Sequence, residues 1–368
     1  MAKITIQNLV KQYDKKTIAV KDLSLEIQDK ELMVLLGPSG CGKTTTLNCI
    51  AGLETPTTGK IFFDDMNVTE VAPHQRNVAM VFQSCLLYPH LTGRGNITMS
   101  LHKRKLGKEE IAKRVEDAAS LVNIQHMIDK IPAQLSGGER QRIAIAKAIV
   151  RDPSVFLMDE PLSNLDAALR EMLRAEISVL QKRVETTMLL VTHDQIEAMT
   201  MSDKIAVMSA GELQQVGTPD EVYNRPANIF VGKFIGSPPM HLLTGNIKKE
   251  GNRLMFGNKG FTITLPAKKY SDALYRLQGK TNAILGVRSH HMSISAADKK
   301  PNSIRAQVYA VEHMGKENNI IVIDEHDNKI KIATTPQNPF QRDDMVWVAV
   351  DPENIHLFNE ETGQNLCL

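Results

Sequence analysis

Gly37-Pro38-Ser39-Gly40-Cys41-Gly42-Lys43-Thr44-Thr45 matches the phosphate-loop pattern G-x-x-x-x-G-K-[ST] in full. The five residues before it, Leu32-Met33-Val34-Leu35-Leu36, make a short apolar run suited to a buried strand. Thr44 to Ala51 after it holds no helix breaker and suits a helix. That order of strand, glycine loop and helix is the context in which the pattern carries meaning. Gly37, Gly40 and Gly42 permit a tight turn, so successive N–H groups can face one anion at a helix N-terminus. Lys43 brings positive charge to the β- and γ-phosphates, and the Thr44 hydroxyl suits Mg²⁺. The alternative is a glycine-rich turn with an incidental lysine, and the strand and helix on either side favour a nucleoside triphosphate. Cys41 lies at that helix start, two residues from Lys43, and both features favour a thiolate. An inert small residue filling the loop is the competing expectation.

Bulk properties narrow the rest. A chain of 368 residues has room for two or three domains, and 42% hydrophobic with 23% charged residues is ordinary for a globular protein. No apolar run approaches the roughly 20 residues that span a bilayer. The opening MAKITIQNLVKQYDKK is charged and strand-like, unlike a signal peptide. A net charge of +2 offers no basic field for nucleic acid. Cys41, Cys49, Cys85 and Cys367 have neither metal-ligand spacing nor a disulfide framework, which fits a reduced cytoplasm.

Up to about residue 235, apolar strands alternate with helical patterns, as in an α/β domain with a largely parallel sheet. Expected strands are Val78–Phe82, Val155–Met158, Met188–Val191 and Ile205–Met208. Between Gln83 and Leu135 the strand signal stops. There the spacing predicts a helix over Lys108–Val122, with Ile111, Val115, Ala118 and Val122 on one face. This marks a helical subdomain at about 84–150 inside a domain of residues 1–235. From Gly236-Ser237-Pro238-Pro239 onward, short β-rich segments separated by turns predict a small all-β barrel or sandwich over 236–368. It has no convergent reactive set. The adjacent His290 and His291 suit a surface, and Trp347 suits that domain's core.

Val155-Phe156-Leu157-Met158-Asp159-Glu160 is an apolar strand ending in two carboxylates, at the sheet edge where ligands of open α/β sheets gather. Asp159 suits Mg²⁺, and Glu160 suits a base on the attacking water. Leu135-Ser136-Gly137-Gly138-Glu139-Arg140-Gln141-Arg142 opens a long helix. Ser136 is a plausible N-cap, and the start is also a second anion-binding helix terminus.

With LSGGERQR on the page, the chain resembles the ATP-binding cassette (ABC) ATPases. The other marks follow in family order: Tyr13 as the aromatic against adenine, Gln83 of the Q-loop, Ser163-Asn164-Leu165-Asp166 as the D-loop, and His193 as the switch histidine. The resemblance implies that ATP and Mg²⁺ are bound by the phosphate loop, with Gln83 joining Thr44 and Asp159 around the metal. It implies that Glu160 and His193 are catalytic. Ser136, Gly137, Gly138 and Asp166 would serve ATP across a head-to-tail dimer. GTPDEVYNRPANIFVGKFIGSPPM (217–240), Leu285-Gly286-Val287-Arg288, Val311-Glu312-His313-Met314-Gly315 and Phe358-Asn359-Glu360-Glu361-Thr362-Gly363 are similar to the maltose-type importer ATPases. Two positions depart from the pattern: Glu139 where glutamine is commoner, and Ser289-His290 where Pro-Glu is usual.

The implied fold is α/β, a P-loop NTPase cassette with a helical insertion, followed by a C-terminal all-β (OB/TOBE-like) regulatory domain. The implied function is energising uptake of a sugar or glycerol phosphate. Implied partners are permease transmembrane subunits, docked between the Gln83 region and the helical insertion. A second copy or paralogue and, indirectly, an extracytoplasmic solute-binding protein are implied too, with no nucleic acid. The implied location is the cytoplasmic face of the membrane. The competing function is a soluble ABC ATPase acting on ribosomes or DNA; such proteins generally carry two cassettes, coiled-coil arms or basic extensions. The transported solute does not follow from this chain.

Overall fold

The computed structural model describes residues 2–102, 104–251, 253–257, 261–277, 279–296, 299–337 and 339–368. They form two compact units, residues 1–220 and 221–368.

The first unit opens with strands β1 (Ile4–Gln12), β2 (Ile18–Ile27) and β3 (Leu32–Leu36), and helix α1 (Lys43–Ala51). Strands β4 (Thr58–Phe63), β5 (Met66–Asn67) and β6 (Val78–Val81) follow, then helices α2 (Gly93–Met99), α3 (Lys108–Leu121) and α4 (Gly137–Ile149). After them come β7 (Val155–Asp159), α5 (Ala167–Val184), β8 (Thr187–Thr192), α6 (Gln195–Met201), β9 (Lys204–Ser209) and β10 (Glu212–Gly217). Helix α7 (Pro219–Asn224) straddles the division between the units.

Two sheets build this unit. The larger has the order β10-β9-β3-β8-β7-β6; β6, β7, β8, β3 and β9 run parallel, and β10 is an antiparallel edge. Every residue of β3 is buried, the burial expected of a strand covered on both faces. The smaller sheet, β2-β1-β4-β5, is antiparallel, so the unit is less uniformly parallel than its sequence pattern suggests. Leu47 and Ile50 of α1 share one core with Ile4, Ile6 and Ile27 of the small sheet and with Leu35, Leu157 and Val191 of the large one. α1 is thereby held between the sheets.

Helices α2, α3 and α4 occupy the stretch in which a helical subdomain is expected. On α3, Val115, Ala118 and the following Val122 are buried as expected, and Glu110 pairs with Arg114 at 3.0 Å.

The second unit contains α8 (Ile229–Phe234), β11 (His241–Glu250), β12 (Arg253–Gly257), β13 (Thr262–Leu265), α9 (Ala267–Arg276), β14 (Asn282–Val287) and β15 (Met292–Ser295). β16 (Ser303–His313), β17 (Asn318–Asp324), β18 (Lys329–Thr334), β19 (Met345–Val350) and β20 (Ile355–Asn359) complete it. Two five-stranded antiparallel sheets, β13-β12-β11-β14-β20 and β15-β19-β16-β17-β18, share a core that includes Ile247, Phe256, Leu285, Val308, Val322 and Val348.

Two expectations need correction here. The division falls after Asp220, not after residue 235, because residues 221–235 pack with the β-rich part. The cause is Arg288, which is 1% exposed: its guanidinium donates to the carbonyls of Tyr223 (2.9 Å), Gly232 (3.0 Å) and Ile235 and lies 4.2 Å from the Tyr223 ring centroid. Gly236 has φ +109, and a Cβ there would stand 2.7 Å from Arg288 Nη1, so that turn requires glycine. Second, Trp347 is only half-buried, with Lys299 Nζ 5.3 Å from its ring centroid; Val346, Val348 and Val350 point to the core instead. One helix, α9, accompanies the two sheets of the all-β domain and buries Tyr270 and Ala273 against them.

Candidate nucleotide site

The phosphate loop leaves the C-terminal end of β3. Its neighbours in the sheet fix what surrounds it: Leu36 is in register with Thr192 of β8, and Val191 with Asp159 of β7. The loop, the two carboxylates and His193 therefore emerge at one edge of three adjacent strands.

Gly40 (φ +77) and Gly42 (φ +101) take the left-handed conformation that favours glycine. A Cβ on Gly42 would fall 2.3 Å from the Ala19 carbonyl oxygen, and one on Gly37 would fall 2.3 Å from that of Met208. Lys43 is 5% exposed and donates to the carbonyls of Gly37 (2.8 Å) and Pro38 (2.9 Å), which closes the loop around its ammonium. Ser39, Gly40 and Thr44 remain exposed, with Pro38 and Thr45 partly so. The Cys41 thiol is buried with Sγ 3.8 Å from Lys43 Nζ. Burial pushes its pKa up, and the nearby ammonium offsets this only in part. The thiolate expected from its position is thus not favoured; Cys41 fills the loop.

Two side-chain pairs stand beside the loop. Thr44 Oγ1 donates to Asp159 Oδ1 at 3.0 Å, and His193 Nδ1 lies 3.2 Å from Glu160 Oε1. Burial raises the Asp159 pKa and the Glu160 charge adds to it, while the Thr44 hydrogen bond and Lys43 pull it down. Glu160 has φ +44, uncommon for a residue with a Cβ and placed just before Pro161. Its N–H donates to Val191 O at 2.9 Å. The carboxylate is therefore aimed by a strained turn tied to the next strand.

Gln83 follows β6. Its Nε2 donates to Ser163 Oγ (3.1 Å), Ser163 Oγ donates to Glu160 O (2.9 Å), and Asn164 Nδ2 donates to Gln83 O (3.1 Å). Gln83 is thus bonded to the turn that carries Glu160. Asp166 is the N-cap of α5 and accepts from Leu169 N at 3.0 Å.

Ser136 caps α4 in a reciprocal capping box: Ser136 Oγ accepts from Glu139 N at 3.3 Å, and Glu139 Oε2 accepts from Ser136 N at 2.6 Å. Those backbone bonds hold the Glu139 pKa below its usual value. A Cβ on Gly138 would meet Leu169 at 2.5 Å, and one on Gly137 would meet Leu165 at 3.1 Å. The glycines therefore have a packing reason as well, because they let the start of α4 approach α5. Tyr13 is 52% exposed on the turn between β1 and β2, with Lys11 Nζ 5.0 Å from its ring centroid.

The donor set fits a nucleoside triphosphate with Mg²⁺. The left-handed glycines leave a cradle at a helix N-terminus, and the Thr44 and Asp159 oxygens are hard donors for a hard cation. Among the described residues no three His, Cys, Asp or Glu side chains cluster as a metal cage.

Sequence reasoning did not identify the residues of two adjoining grooves of about 470 and 690 Å³ between β6 and the helical subdomain. They share Met80, Phe82, Tyr88, Ser100 and Arg151. Lys147 and Arg151 line one, and Arg104, Arg151, His74 and His102 line the other. Lys147 lies in the last turn of α4 and Arg151 just beyond its C-cap.

Fold and site together define a P-loop nucleotide hydrolase. The ABC transporter family profile matches residues 20–163, and the TOBE domain profile matches residues 285–358. The chain is 42% identical over 366 residues to the uncharacterized ABC transporter ATP-binding protein YurJ of Bacillus subtilis (strain 168), covering 99% of both. It is 41% identical over 366 residues to the sn-glycerol-3-phosphate import ATP-binding protein UgpC of Escherichia coli (strain K12), covering 100% of both. Among solved structures, cbiO1 from Clostridium perfringens, part of the cbiONQ ABC transporter complex, aligns with a TM-score of 0.56 at 28% identity over 60% of this chain and 89% of that one. The cassette MJ0796, in a dimeric post-hydrolysis state bound to ADP and Pi, aligns with a TM-score of 0.53 at 29% identity over 59% of this chain and 98% of that one. The chain belongs to the ABC transporter ATP-binding proteins, and it is an ATPase.

Proposed function

We propose that this chain is the motor subunit of a solute importer, hydrolysing ATP between two head-to-tail chains docked on permease subunits. The observation that carries the reading is the pairing of Thr44 with Asp159 and of Glu160 with His193 beside the phosphate loop. In this reading Lys43 and the loop N–H groups hold the β- and γ-phosphates, and Tyr13 stacks on the base. Mg²⁺, held by Thr44, Asp159 and Gln83, would supply charge neutralisation at the phosphates. Glu160 accepts the proton of the attacking water as the new P–O bond forms and the bond to the β-phosphate oxygen breaks. His193 holds the Glu160 carboxylate and faces the γ-phosphate.

One chain leaves the far side of the γ-phosphate open to water. The start of α4, exposed at Ser136, offers first-turn N–H groups and a positive dipole suited to that face. We assign it to the partner chain's ATP, with Asp166 at the same junction. The dimeric state named for MJ0796 supports this assembly.

Permease subunits fit the grooves beside Gln83, which combine exposed Leu53, Leu86, Tyr88 and Met99 with basic side chains. Among the described residues no helix is long and apolar enough to cross a membrane, so membrane attachment falls to those partners. The full-length similarity to UgpC favours glycerol phosphate or a sugar as the solute, delivered by an extracytoplasmic binding protein. The second unit, whose described residues form two β-sheets around one core, is assigned to regulation of the dimer.

A mixing experiment tests the assembly. In a Glu160→Gln background, Lys43→Ala removes a chain's own phosphate loop and Ser136→Arg removes the face it lends. Mixed, they restore one complete site. ATP-dependent dimers above the level of either variant alone are expected; none, with both chains folded, refutes the head-to-tail site.

A further inference from the structure

Resting on the assignment of His193 to turnover, we infer that Arg170 is a positioning residue that locks the His193 turn to the Ser163–Asp166 loop.

Arg170 lies in the first turn of α5, where its N–H bonds to Asp166 O at 2.9 Å. Its guanidinium reaches in two directions. Nη2 donates to Leu165 O at 3.0 Å, and Nη1 lies 3.5 Å from Asp194 Oδ2. Leu165 directly precedes the α5 cap, and Asp194 directly follows His193. One planar side chain therefore bridges the two loops that flank Glu160.

Asp194 is itself fixed. Its Oδ1 accepts from Ile196 N (2.7 Å) and Glu197 N (3.3 Å) as the cap of α6. On the other side of His193, Thr192 Oγ1 donates to the buried Glu197 Oε2 at 2.6 Å and accepts from Asp194 N at 3.0 Å. The main chain on both sides of His193 is thus pinned, while the imidazole itself is half-exposed with Nδ1 against Glu160. The direction of that imidazole is set by its backbone. Arg170 is the link that makes the backbone position depend on the Ser163–Asp166 loop, which also bonds to Gln83 through Ser163. Movement of that loop is transmitted to His193 through a rigid fork.

A surface ion pair alone would contribute little. The bridge differs because the Arg170–Asp194 pair is partly buried, with side chains 31% and 22% exposed, and the second bond is to a main-chain carbonyl. Arg170 Nε is buried with no hydrogen-bond partner among the described residues, so the base of the guanidinium is held against protein.

The test is steady-state ATP turnover of the full chain carrying Arg170→Gln, alone and combined with His193→Ala. Arg170→Gln is expected to lower kcat about tenfold, within the roughly 10²-fold that misplacing a reacting group costs, with KM for ATP changed less than about twofold. Arg170→Lys, which keeps the charge but reaches one partner, should recover part of the loss. In the His193→Ala background, Arg170→Gln should cause no further loss, because its effect runs through His193. Asp194→Asn keeps the helix cap and weakens the bridge, so it should reproduce part of the loss even where Arg170→Gln folds poorly. A kcat for folded Arg170→Gln within about twofold of the parent, or a full additional loss on top of His193→Ala, overturns the inference. Parental turnover by His193→Ala itself instead refutes the role of His193.

Discussion

Lys43 and Arg288 are both buried cations that donate to main-chain carbonyls, yet they serve opposite ends. Lys43 sits among Ser39, Gly40 and Thr44, which remain exposed, so its ammonium lies one layer below a surface that an anion can reach. Arg288 is enclosed by Tyr223, Gly232 and Ile235, and burial lowers its pKa to about 10. The histidines divide the same way. His193 is half-exposed against Glu160, whereas burial, with Arg288, Lys269 and His291 nearby, lowers the His356 pKa to about 4. Similar side chains are open to a ligand where their last neighbour is solvent and closed off where it is protein. The first unit keeps such edges at the ends of β3, β7 and β8; the second closes them.

The largest expected effect that sharpens this contrast is at Arg288. Arg288→Gln leaves buried carbonyls without a donor and should destabilise the second unit by about 2–4 kcal/mol, with ATP affinity unchanged. Trp347, the only tryptophan, reports that unit's unfolding by fluorescence. A parallel loss of ATP affinity in the folded protein would break the separation.

Acid should act next, and on the same unit. The His356 pKa is near 4 when folded and 6.5 ordinarily, so the unfolded chain binds more protons between those values. The associated stability is complete above about pH 6.5 and falls as pH drops toward about 4, by at most about 3 kcal/mol. Burial shifts His290 and His291 in the same direction. His356→Phe should flatten the Trp347 unfolding profile against pH; an unchanged profile would show that the histidine is not enclosed.

In the first unit, Lys43→Ala should weaken ATP binding about 10- to 100-fold, the scale of a charged hydrogen bond, and leave the Trp347 transition in place. Calorimetric titration with ATP checks it. The smallest effect is expected at Cys41. With its thiol raised by burial, maleimide should label it slowly with or without ATP and quickly only after unfolding. Fast native labelling blocked by ATP would restore the thiolate reading.

How far the sequence reached follows the same division. The phosphate loop was legible because its residues are contiguous and its strand and helix are unambiguous. Asp159 and Glu160 were legible as a strand end, but the Glu160–His193 contact depends on β7 lying next to β8, which no local pattern states. The small antiparallel sheet was hidden because bulges at Asn8 and Asp22, both with φ 48, disturb the alternation of β1 and β2. Trp347 was misplaced because MVWVAV offers two apolar faces, and side-chain size does not decide between them. The sequence boundary falls between 235 and 236 because Gly236-Ser237-Pro238-Pro239 reads as a linker, while the buried Arg288 that binds residues 223–235 to the second unit leaves no local trace.

The central claim is that chemistry occurs at Glu160, at the solvent edge of the first unit. Glu160→Gln tests it most directly, with ATP turnover and equilibrium MgATP binding measured on the same folded sample. The account predicts binding within about twofold of the parent and turnover lowered roughly 10²–10⁴-fold. Parental turnover by the variant would contradict it.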